Sequence, residues 1–461
     1  MPSRQDQLHS YQFMVQRVVA ALVMRETDPA QSPFRRAAGA TLASVLIAAI
    51  ALGGVGLYGL FVGGGATKWR DPAAVIVEKE SGARYVYRDE KLHLVLNYAS
   101  ALLIIGSQPK TVLVSRKSIE GVPRGVPLGI ADAPDSLPAA DRLSRAPWTV
   151  CSKVLPGSAD PRSVLLVGGD APGGRPLGER GLLARHPDGA VYLVWRGHKH
   201  LIRDTETVLV ALSWATFRQV AVAPALLNAL PAGADLARIP IPNRGRSSTE
   251  VPDAQIGEVF LVQSQGGGQQ YAVAMRNGLA SITQLQANLL LVDSDQKDPT
   301  ALSQGEFADI PKLPPLTSDE GAPLPATIPD LVEAADGGLC GQVRDDTGIH
   351  ELRVGAELPD LSGVPRTGGK TAQGAAVADY VLVPPGRGAV VEAVAAPGAT
   401  GGTVSLVTDL GRRSAVTGTE VLTMLGYGNV KPLRLPASLV ALVPPGKALD
   451  PEAARAPVAQ E

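Results

Sequence analysis

The stretch GATLASVLIAAIALGGVGLYGLFV, residues 39–62, decides how this chain is organised. It lies inside a run from residue 37 to residue 67 that has no charged side chain, between Arg35-Arg36 and Lys68. Its 24 residues would form a helix of about 36 Å, which crosses a hydrocarbon core of about 30 Å with some tilt. We therefore predict one transmembrane helix, assigned to residues 39–65.

A cleaved signal peptide is the alternative interpretation of this run. It fits poorly, because a signal peptide has an apolar core of about 7 to 15 residues. Five arginines precede the span, whereas the basic residues just after it alternate with Asp71, Glu78 and Glu80. By the positive-inside rule the N-terminus is cytoplasmic. The prediction is a single-pass inner (plasma) membrane protein in contact with the lipid bilayer, with residues 66–461 extracytoplasmic.

The leader, residues 1–38, has an apolar stripe at the spacing of an amphipathic helix. Its members are Tyr11, Met14, Val15, Val18, Val19 and Leu22. Such a stripe is stable only when another surface buries it, and two interpretations stay open. The helix lies on the membrane surface, or it docks on a cytoplasmic domain of another protein. The candidate partner-binding residues are Tyr11, Met14, Val15, Val18 and Leu22.

Composition excludes several classes of protein. The chain has 43 Lys and Arg against 44 Asp and Glu, so it has no basic excess for nucleic acid. Its 50 Gly and 38 Pro predict a loop-rich folded chain.

Two cysteines exclude a disulfide-dense scaffold and a Cys-based zinc site. In an oxidising space Cys151 and Cys340 can pair, with two free buried thiols as the alternative.

Four outer segments share the pattern strand, turn, short strand and helix, which predicts structural repeats. They begin at Tyr85, Tyr192, Tyr271 and Val404. Three have glycine at the turn, where a tight hairpin needs positive φ: Gly197, Gly278 and Gly411. Three residues later stand His200, Ser281 and Ser414, with His93 at the equivalent place in the first segment.

The predicted fold class is α+β, mostly β: one N-terminal transmembrane helix, then an elongated outer region with a β-rich central body and four repeats. The repeats are assigned to residues 66–120, 166–225, 251–300 and 396–430. Pro-rich stretches between them are assigned to the central body, as extended crossings: 121–165, 226–250, 301–395 and, as a last strand, 431–446. Residues 447–461 are predicted to be a disordered tail.

Two segments carry the residue types of catalytic or metal sites. Residues 363–371 resemble a phosphate-binding P-loop, with Gly368, Gly369, Lys370 and Thr371 as weak nucleotide-binding candidates, but Val364 stands where the motif requires glycine. A Gly-rich surface loop is the favoured interpretation. His198 and His200 could share one strand face, yet no third ligand lies near them in sequence, so a solvated hairpin edge is the favoured interpretation of this pair. We therefore predict no catalytic residue, no metal and no cofactor.

In combination, several motifs resemble the EccB family of type VII (ESX) secretion systems. They are Ser3-Arg-Gln-Asp-Gln, His9-Ser-Tyr-Gln-Phe-Met, Leu96-Asn-Tyr-Ala-Ser, Leu128-Gly-Ile-Ala-Asp-Ala-Pro, Trp148-Thr-Val-Cys, Leu339-Cys and Val383-Pro-Pro-Gly-Arg-Gly. The resemblance covers the chain from Met1 to about Pro445. It implies one membrane helix, a central body flanked by four repeats similar to a phage-lysin wall-binding module, and a disulfide between Cys151 and Cys340.

The resemblance also implies partners. Members of this family assemble with EccC, EccD and EccE, with copies of themselves and with the mycosin protease. The expected function is therefore a structural, membrane-anchored component of the secretion complex, with the leader helix tying it to cytoplasmic and membrane partners. Two alternatives stand beside it: an ATPase, with ATP as its cofactor, and a cell-wall module that binds peptidoglycan.

Overall fold

The computed structural model describes residues 3–25, 33–61, 69–263, 268–294, 296–316, 323–333 and 337–458. The chain divides into two compact units, residues 1–71 with 114–120 and residues 72–113 with 121–461. The predicted fold class is confirmed: helices and strands mix, strand residues outnumber helix residues, and one apolar helix lies near the N-terminus.

The first unit contains two long helices, α1 (Arg4–Met24) and α2 (Pro33–Phe61). α1 begins at a capping box, in which Ser3 Oγ accepts from the Asp6 amide and the Asp6 carboxylate accepts from the Ser3 amide. α1 ends at Arg25, which has a φ of +52°. Of the predicted span 39–65, residues 39–61 are helical, and residues 62–65 lie outside the described residues.

The remaining elements follow in chain order. The first group is β1 (Ala74–Glu78), β2 (Arg84–Arg88), β3 (Lys91–Val95), α3 (Tyr98–Ile105), β4 (Lys110–Val114) and α4 (Arg116–Ile119), with a 3₁₀ turn at Ala140–Arg142. The second is β5 (Trp148–Val154), β6 (Pro161–Leu166), β7 (Gly173–Pro176), β8 (Leu182–Arg185), β9 (Val191–Trp195), β10 (His198–Ile202), α5 (Thr205–Ala211), β11 (Val220–Ala221) and α6 (Pro224–Ala229). The third is β12 (Val259–Gln263), β13 (Gln269–Met275), β14 (Gly278–Ile282), α7 (Gln284–Asp293), β15 (Thr300–Leu302), α8 (Gln304–Asp309) and β16 (Lys312–Leu313). The last is β17 (Gly338–Val343), β18 (Ile349–Ala356), β19 (Tyr380–Leu382), β20 (Gly388–Val394), β21 (Thr403–Thr408), β22 (Arg413–Ala415), α9 (Thr419–Met424), β23 (Leu433–Pro436), α10 (Ala437–Val440) and α11 (Pro451–Arg455).

Four sheets share one arrangement of four strands, and the third of them has β16 as a fifth strand. We call them the four-stranded sheets after the arrangement that they share. In each, three antiparallel strands are followed by a helix and by a fourth strand that lies beside the first. The fourth strand is parallel to the first in the sheets that begin with β8, β12 and β20. The four segments predicted as repeats each supply the second and third strands of one of these sheets. That they are repeats of one sequence stays a prediction.

A further extended segment, which we call a strap, runs parallel to the third strand of each of these sheets. The straps are residues 124–128, 232–236, 312–313 (β16) and 445–449. The predicted boundaries place the first three straps and residues 445–446 in the central body, and residues 447–449 in the disordered tail. That assignment is wrong, because the backbone hydrogen bonds of each strap go to its own sheet, as from the Gly233 amide to the Lys199 carbonyl at 2.9 Å.

The fifth sheet is the central one, with the order β19-β6-β5-β17-β18-β7. Its strands come from separate parts of the chain, so the second and third four-stranded sheets form an excursion between β7 and β17. α6 packs on β5 and contacts α10. Trp148, Leu226 and Leu439 are completely buried in the core beneath this sheet.

The four-stranded sheets are joined in pairs through their helices. In the first and fourth sheets α3 contacts α9, and their side chains form one core that includes Leu103 and Val421. In the second and third sheets α5 contacts α7, and Leu212 packs in one core with Leu285.

Three predicted boundaries are corrected by strand pairing. β7, assigned to the second repeat, pairs with β18 in the central sheet. β20 and β23, assigned to the central body, pair with each other in the fourth sheet. A hydropathy pattern can indicate that a segment is a strand, but it does not show which strand it pairs with. The sheet to which each of these strands belongs is therefore known only from the tertiary structure.

The predicted disorder of residues 447–461 is also wrong as far as residue 458. Leu449 and Ala454 are fully buried, and α11 packs against α3. The Val458 amide donates to the Pro127 carbonyl at 3.0 Å. A composition of Ala, Pro and charge predicts too little apolar surface to order the tail, but the buried side chains of Leu449 and Ala454 and the packing of α11 on α3 hold it. Residues 459–461 lie outside the described residues.

Candidate functional site

The leader helix presents its apolar side chains to solvent. The exposed fractions are 68% for Tyr11, 65% for Met14, 44% for Val15, 57% for Val18 and 74% for Leu22. Val19 is half-buried, and Ala20, near the end of the helix, is buried. Leu8, Phe13 and Val23 are exposed as well. The apolar surface of α1 is therefore broader than the predicted stripe.

The apolar helix α2 has the dimensions of a membrane span. Its window Gly39–Gly56 has 18 residues and a mean hydropathy of 1.9, and none of these residues is buried. Ser44 Oγ donates to the Ala40 carbonyl at 2.8 Å, which satisfies its hydroxyl within the helix. The exposed apolar surface is what a lipid environment would cover.

The two cysteines are joined at the middle of the central sheet. Cys151 on β5 and Cys340 on β17 are directly opposite each other, with their Cα atoms 4.0 Å apart, and they form a disulfide. Both are buried. The bond closes a loop of 189 residues that contains the second and third four-stranded sheets. The predicted pairing is thus present, and its position shows that it fixes the two ends of the excursion.

Among the described residues, the P-loop-like segment lacks the preceding strand and following helix of a phosphate-binding loop, and two of its backbone amides already have hydrogen-bond partners. In the continuously described residues 337–458 no helix follows it before α9, and no strand runs directly into it. The Gly369 amide donates to Thr367 Oγ1 at 3.1 Å, and the Thr371 amide donates to the Ala375 carbonyl at 2.8 Å. Gly369 has a φ of +68°, and Lys370 pairs with Ala376 in an antiparallel bridge.

Gly368, Lys370 and Thr371 line an open crevice of about 300 Å³ beside the hairpin of the fourth sheet. Its charged lining residues are Arg366, Lys370 and Arg412. Arg366 lies 3.4 Å from the Asp379 carboxylate, which also accepts from the amide and hydroxyl of Ser163. The segment is a surface loop with local positive charge.

Two histidines lie under straps, which sequence reasoning did not anticipate. The ring Nδ1 of His93 is 2.9 Å from the Val126 carbonyl, and Nδ1 of His200 is 2.9 Å from the Ala234 carbonyl. A carbonyl oxygen only accepts, so Nδ1 carries the hydrogen in both rings. His200 is fully buried. The prediction that it lies at a solvated hairpin edge is therefore wrong.

Burial also shifts the pKa of two side chains around the second strap. It lowers the pKa of His200, as does the nearby His198, whereas the hydrogen bond to Ala234 and the Asp235 carboxylate act in the opposite direction. Burial likewise lowers the pKa of Lys199, whose ammonium donates to the Leu227 carbonyl at 2.7 Å. Among the described residues no group of three or more His, Cys, Asp or Glu could hold a metal.

Comparison with known proteins decides the family. The family model described as "Type VII secretion system ESX-1, transport TM domain B" matches residues 1–459. The chain belongs to the EccB family. The resemblance predicted from its motifs is therefore confirmed.

EccB proteins of several ESX systems are similar to this chain. The ESX-3 secretion system ATPase EccB3 of Mycolicibacterium smegmatis is 28% identical over 482 residues, which span 96% of this chain and 88% of that protein. The ESX-2 secretion system ATPase EccB2 of Mycobacterium tuberculosis is 31% identical over 297 residues, 62% of this chain and 59% of that protein.

Solved EccB structures share the fold. A structure of an EccB3 dimer from the ESX-3 core complex has a TM-score of 0.65 at 26% identity, over 83% of this chain and 100% of that chain. An intact ESX-5 inner membrane complex has a chain with a TM-score of 0.66 at 24% identity, over 100% of this chain and 96% of that one. The second likeness shows the fold alone.

Two EccB motifs now have a structural reason. Ser3 and Asp6 of the first motif form the capping box that begins α1. Asn97 of Leu96-Asn-Tyr-Ala-Ser is the N-cap of α3, where its Oδ1 accepts from the Ser100 amide at 3.0 Å. Its Nδ2 donates to the Ile130 carbonyl at 2.7 Å, which ties the helix to the segment after the first strap.

Proposed function

We propose that this EccB chain is a structural component of the inner-membrane complex of a type VII secretion system. Its apolar helix anchors a large extracytoplasmic scaffold, and its N-terminus is cytoplasmic. The observation that carries the proposal is the match over residues 1–459 to the family, combined with one exposed helix of membrane-spanning length among the described residues, ahead of a body of five sheets. The EccB3 dimer and the ESX-5 inner membrane complex support assembly with copies of itself and with other components.

The leader helix is the part we assign to partner docking. A helix with this many solvent-exposed apolar side chains is costly in isolation, since each such side chain gains about 1.5–3 kcal/mol when fully buried. EccC and EccD are the partners we propose for α1, and EccE and the mycosin protease complete the proposed assembly. The lipid surface is the competing cover for the same residues.

A pair of matched variants tests this assignment. Val15→Glu with Val18→Glu puts two charges on the stripe, whereas Gln12→Glu with Gln16→Glu adds the same charge to exposed positions away from it. We expect the first variant to lose most co-purification of EccC and EccD after mild detergent extraction and the second to retain it. Equal recovery of the partners with both variants would contradict the docking assignment, provided that both chains remain in the membrane fraction.

We propose no nucleotide hydrolysis, although the similar proteins EccB2 and EccB3 are named ATPases. A P-loop binds phosphate through free backbone amides at a helix N-terminus. The corresponding amides at Gly369 and Thr371 already have partners within the loop.

A further inference from the structure

In the first, second and fourth four-stranded sheets, the residue three places after the hairpin turn lies under the strap. An ideal Cβ on Gly125 would lie 2.2 Å from the His93 ring, and one on Gly233 would lie 2.3 Å from the His200 ring. In the fourth sheet Ser414 occupies the same place, and a Cβ on Gly446 would lie 3.0 Å from its Oγ. The first and second straps therefore rest on imidazole rings, and the fourth rests on a hydroxyl.

The His200 ring is held in a position suited only to its neutral form. Nδ1 donates to the strap, and Nε2 is buried without a hydrogen-bond partner among the described residues. Protonation would place a second N–H and a positive charge at Nε2, where nothing described accepts a hydrogen bond. A buried, unpaired charge of this kind is strongly unfavourable.

The titratable groups that act on this ring are few. His198 lies with its ring centroid 6.5 Å away and would add like charge when protonated. Asp235, on the strap, acts in the opposite direction but is paired with Arg203 at 2.6 Å. Trp195, 6.3 Å away between centroids, is apolar at this contact. None of these groups offers the buried Nε2 a partner.

We propose that His200 is an acid-sensitive latch, whose protonation releases strap 232–236 from β10 and loosens the joint between the second and third four-stranded sheets. The strap leads directly into Arg238, which lies 3.6 Å from Asp204 beside α5 and 3.5 Å from Asp293 on α7. Asp293 also pairs with Arg244 at 3.2 Å. Release of the strap therefore removes the fixed point from which Arg238 reaches both helices.

The sign of the pH dependence follows from linkage. Because burial lowers the pKa of His200, the open strap binds the proton more readily than the closed one. The latch is complete above the ordinary histidine pKa of about 6.5 and weakens as the pH falls below it. The opening equilibrium rises by up to about tenfold per pH unit in that range.

Amide hydrogen exchange of the full chain in detergent micelles tests the latch. The probes are the Gly233 and Leu236 amides, which donate to β10, and the controls are the Gly446 and Leu449 amides in the fourth strap. After correction for intrinsic exchange, we expect opening at 233 and 236 to rise about tenfold from pH 7.5 to 5.5. Opening at 446 and 449, over Ser414, should change little.

The variant His200→Asn keeps a side-chain donor toward Ala234 but cannot titrate. We expect it to abolish the acid response at 233 and 236. The same acid loss in this variant, or equal pH responses of the second and fourth straps in the unmutated chain, would overturn the proposal. If the variant does not fold, NMR titration of the His200 ring in the unmutated chain decides: a midpoint below 6.5 supports the latch, and a midpoint at or above 6.5 overturns it.

Discussion

Gly233 and Gly446 occupy the same place in two straps but face different side chains. Neither has a positive φ, so the reason for glycine at these positions is the space that a side chain would occupy. Against Gly233 stands the buried His200 ring, and against Gly446 the smaller Ser414. The size of the residue under the strap therefore determines how costly it is to replace the glycine with a larger residue.

This comparison predicts different costs for the same substitution. Gly233→Ala should lower the free energy of unfolding by about 2 kcal/mol, since the ring must shift inside a packed core. Gly446→Ala should change it by less than about 1 kcal/mol, because a hydroxyl 3.0 Å away can move by a few tenths of an ångström and alanine also restricts the unfolded chain. Urea unfolding of both variants measures the difference, and equal midpoints would contradict the ring contact.

At the scale of elements, β5 and β17 are the pair that fixes the excursion of the chain. They align from Trp148 opposite Val343 to Ser152 opposite Leu339, with the disulfide inside this register. A crosslink between neighbouring strands adds little to the folded state, because the ladder already holds them. Its effect falls on the unfolded chain, in which it closes the long loop.

We therefore expect removal of the disulfide to be strongly destabilising. In the chain-entropy model a loop of 189 residues corresponds to about 5 kcal/mol, an upper value because measured effects are usually about 2–4 kcal/mol. The double variant Cys151→Ala with Cys340→Ala should show a lower urea midpoint. The unmutated chain, unfolded in denaturant without a reductant, should yield no alkylated cysteine. Two alkylated thiols by mass spectrometry would refute the disulfide. An unchanged urea midpoint of the double variant would refute its stabilising effect.

At the scale of the whole second unit, its C-terminal segment packs against the first sheet. α11 lies against α3 of the first sheet, and the Arg455 guanidinium donates to the Leu103 carbonyl at 3.3 Å. Leu128 in the first strap bridges to Pro457, and Leu449 belongs to the fourth strap. The tail thus joins the first and fourth sheets, although the end of β4 at Val114 and the start of β20 at Gly388 are 274 residues apart in sequence.

Truncation tests this closure. Deletion of residues 450–461 removes α11 and should increase hydrogen exchange of α3 amides and lower the free energy of unfolding by about 2 kcal/mol, the scale of one buried apolar side chain. Deletion of residues 459–461 alone is the control and should change neither quantity. Unchanged protection of α3 after the longer deletion would show that the tail does not hold the first sheet.

The sequence by itself determined the features that depend on local pattern. The uncharged run 37–67 and the hairpin glycines each follow from length, hydropathy or backbone geometry within a few residues. Gly197, for example, has a φ of +75°, as a tight hairpin turn requires. The motifs quoted for EccB also lie in short stretches, so the family could be inferred without a structure.

Tertiary structure decided what depends on distant partners. The straps, the place of β20 and β23, and the ordered tail are set by hydrogen bonds and burial against residues remote in sequence, which periodicity does not encode. His200 shows the same limit: its sequence neighbours predict a solvated hairpin edge, whereas Gly233 and Ala234, more than 30 residues away, bury its ring. The lowered pKa of His200 likewise follows from packing, which buries the ring, and not from composition.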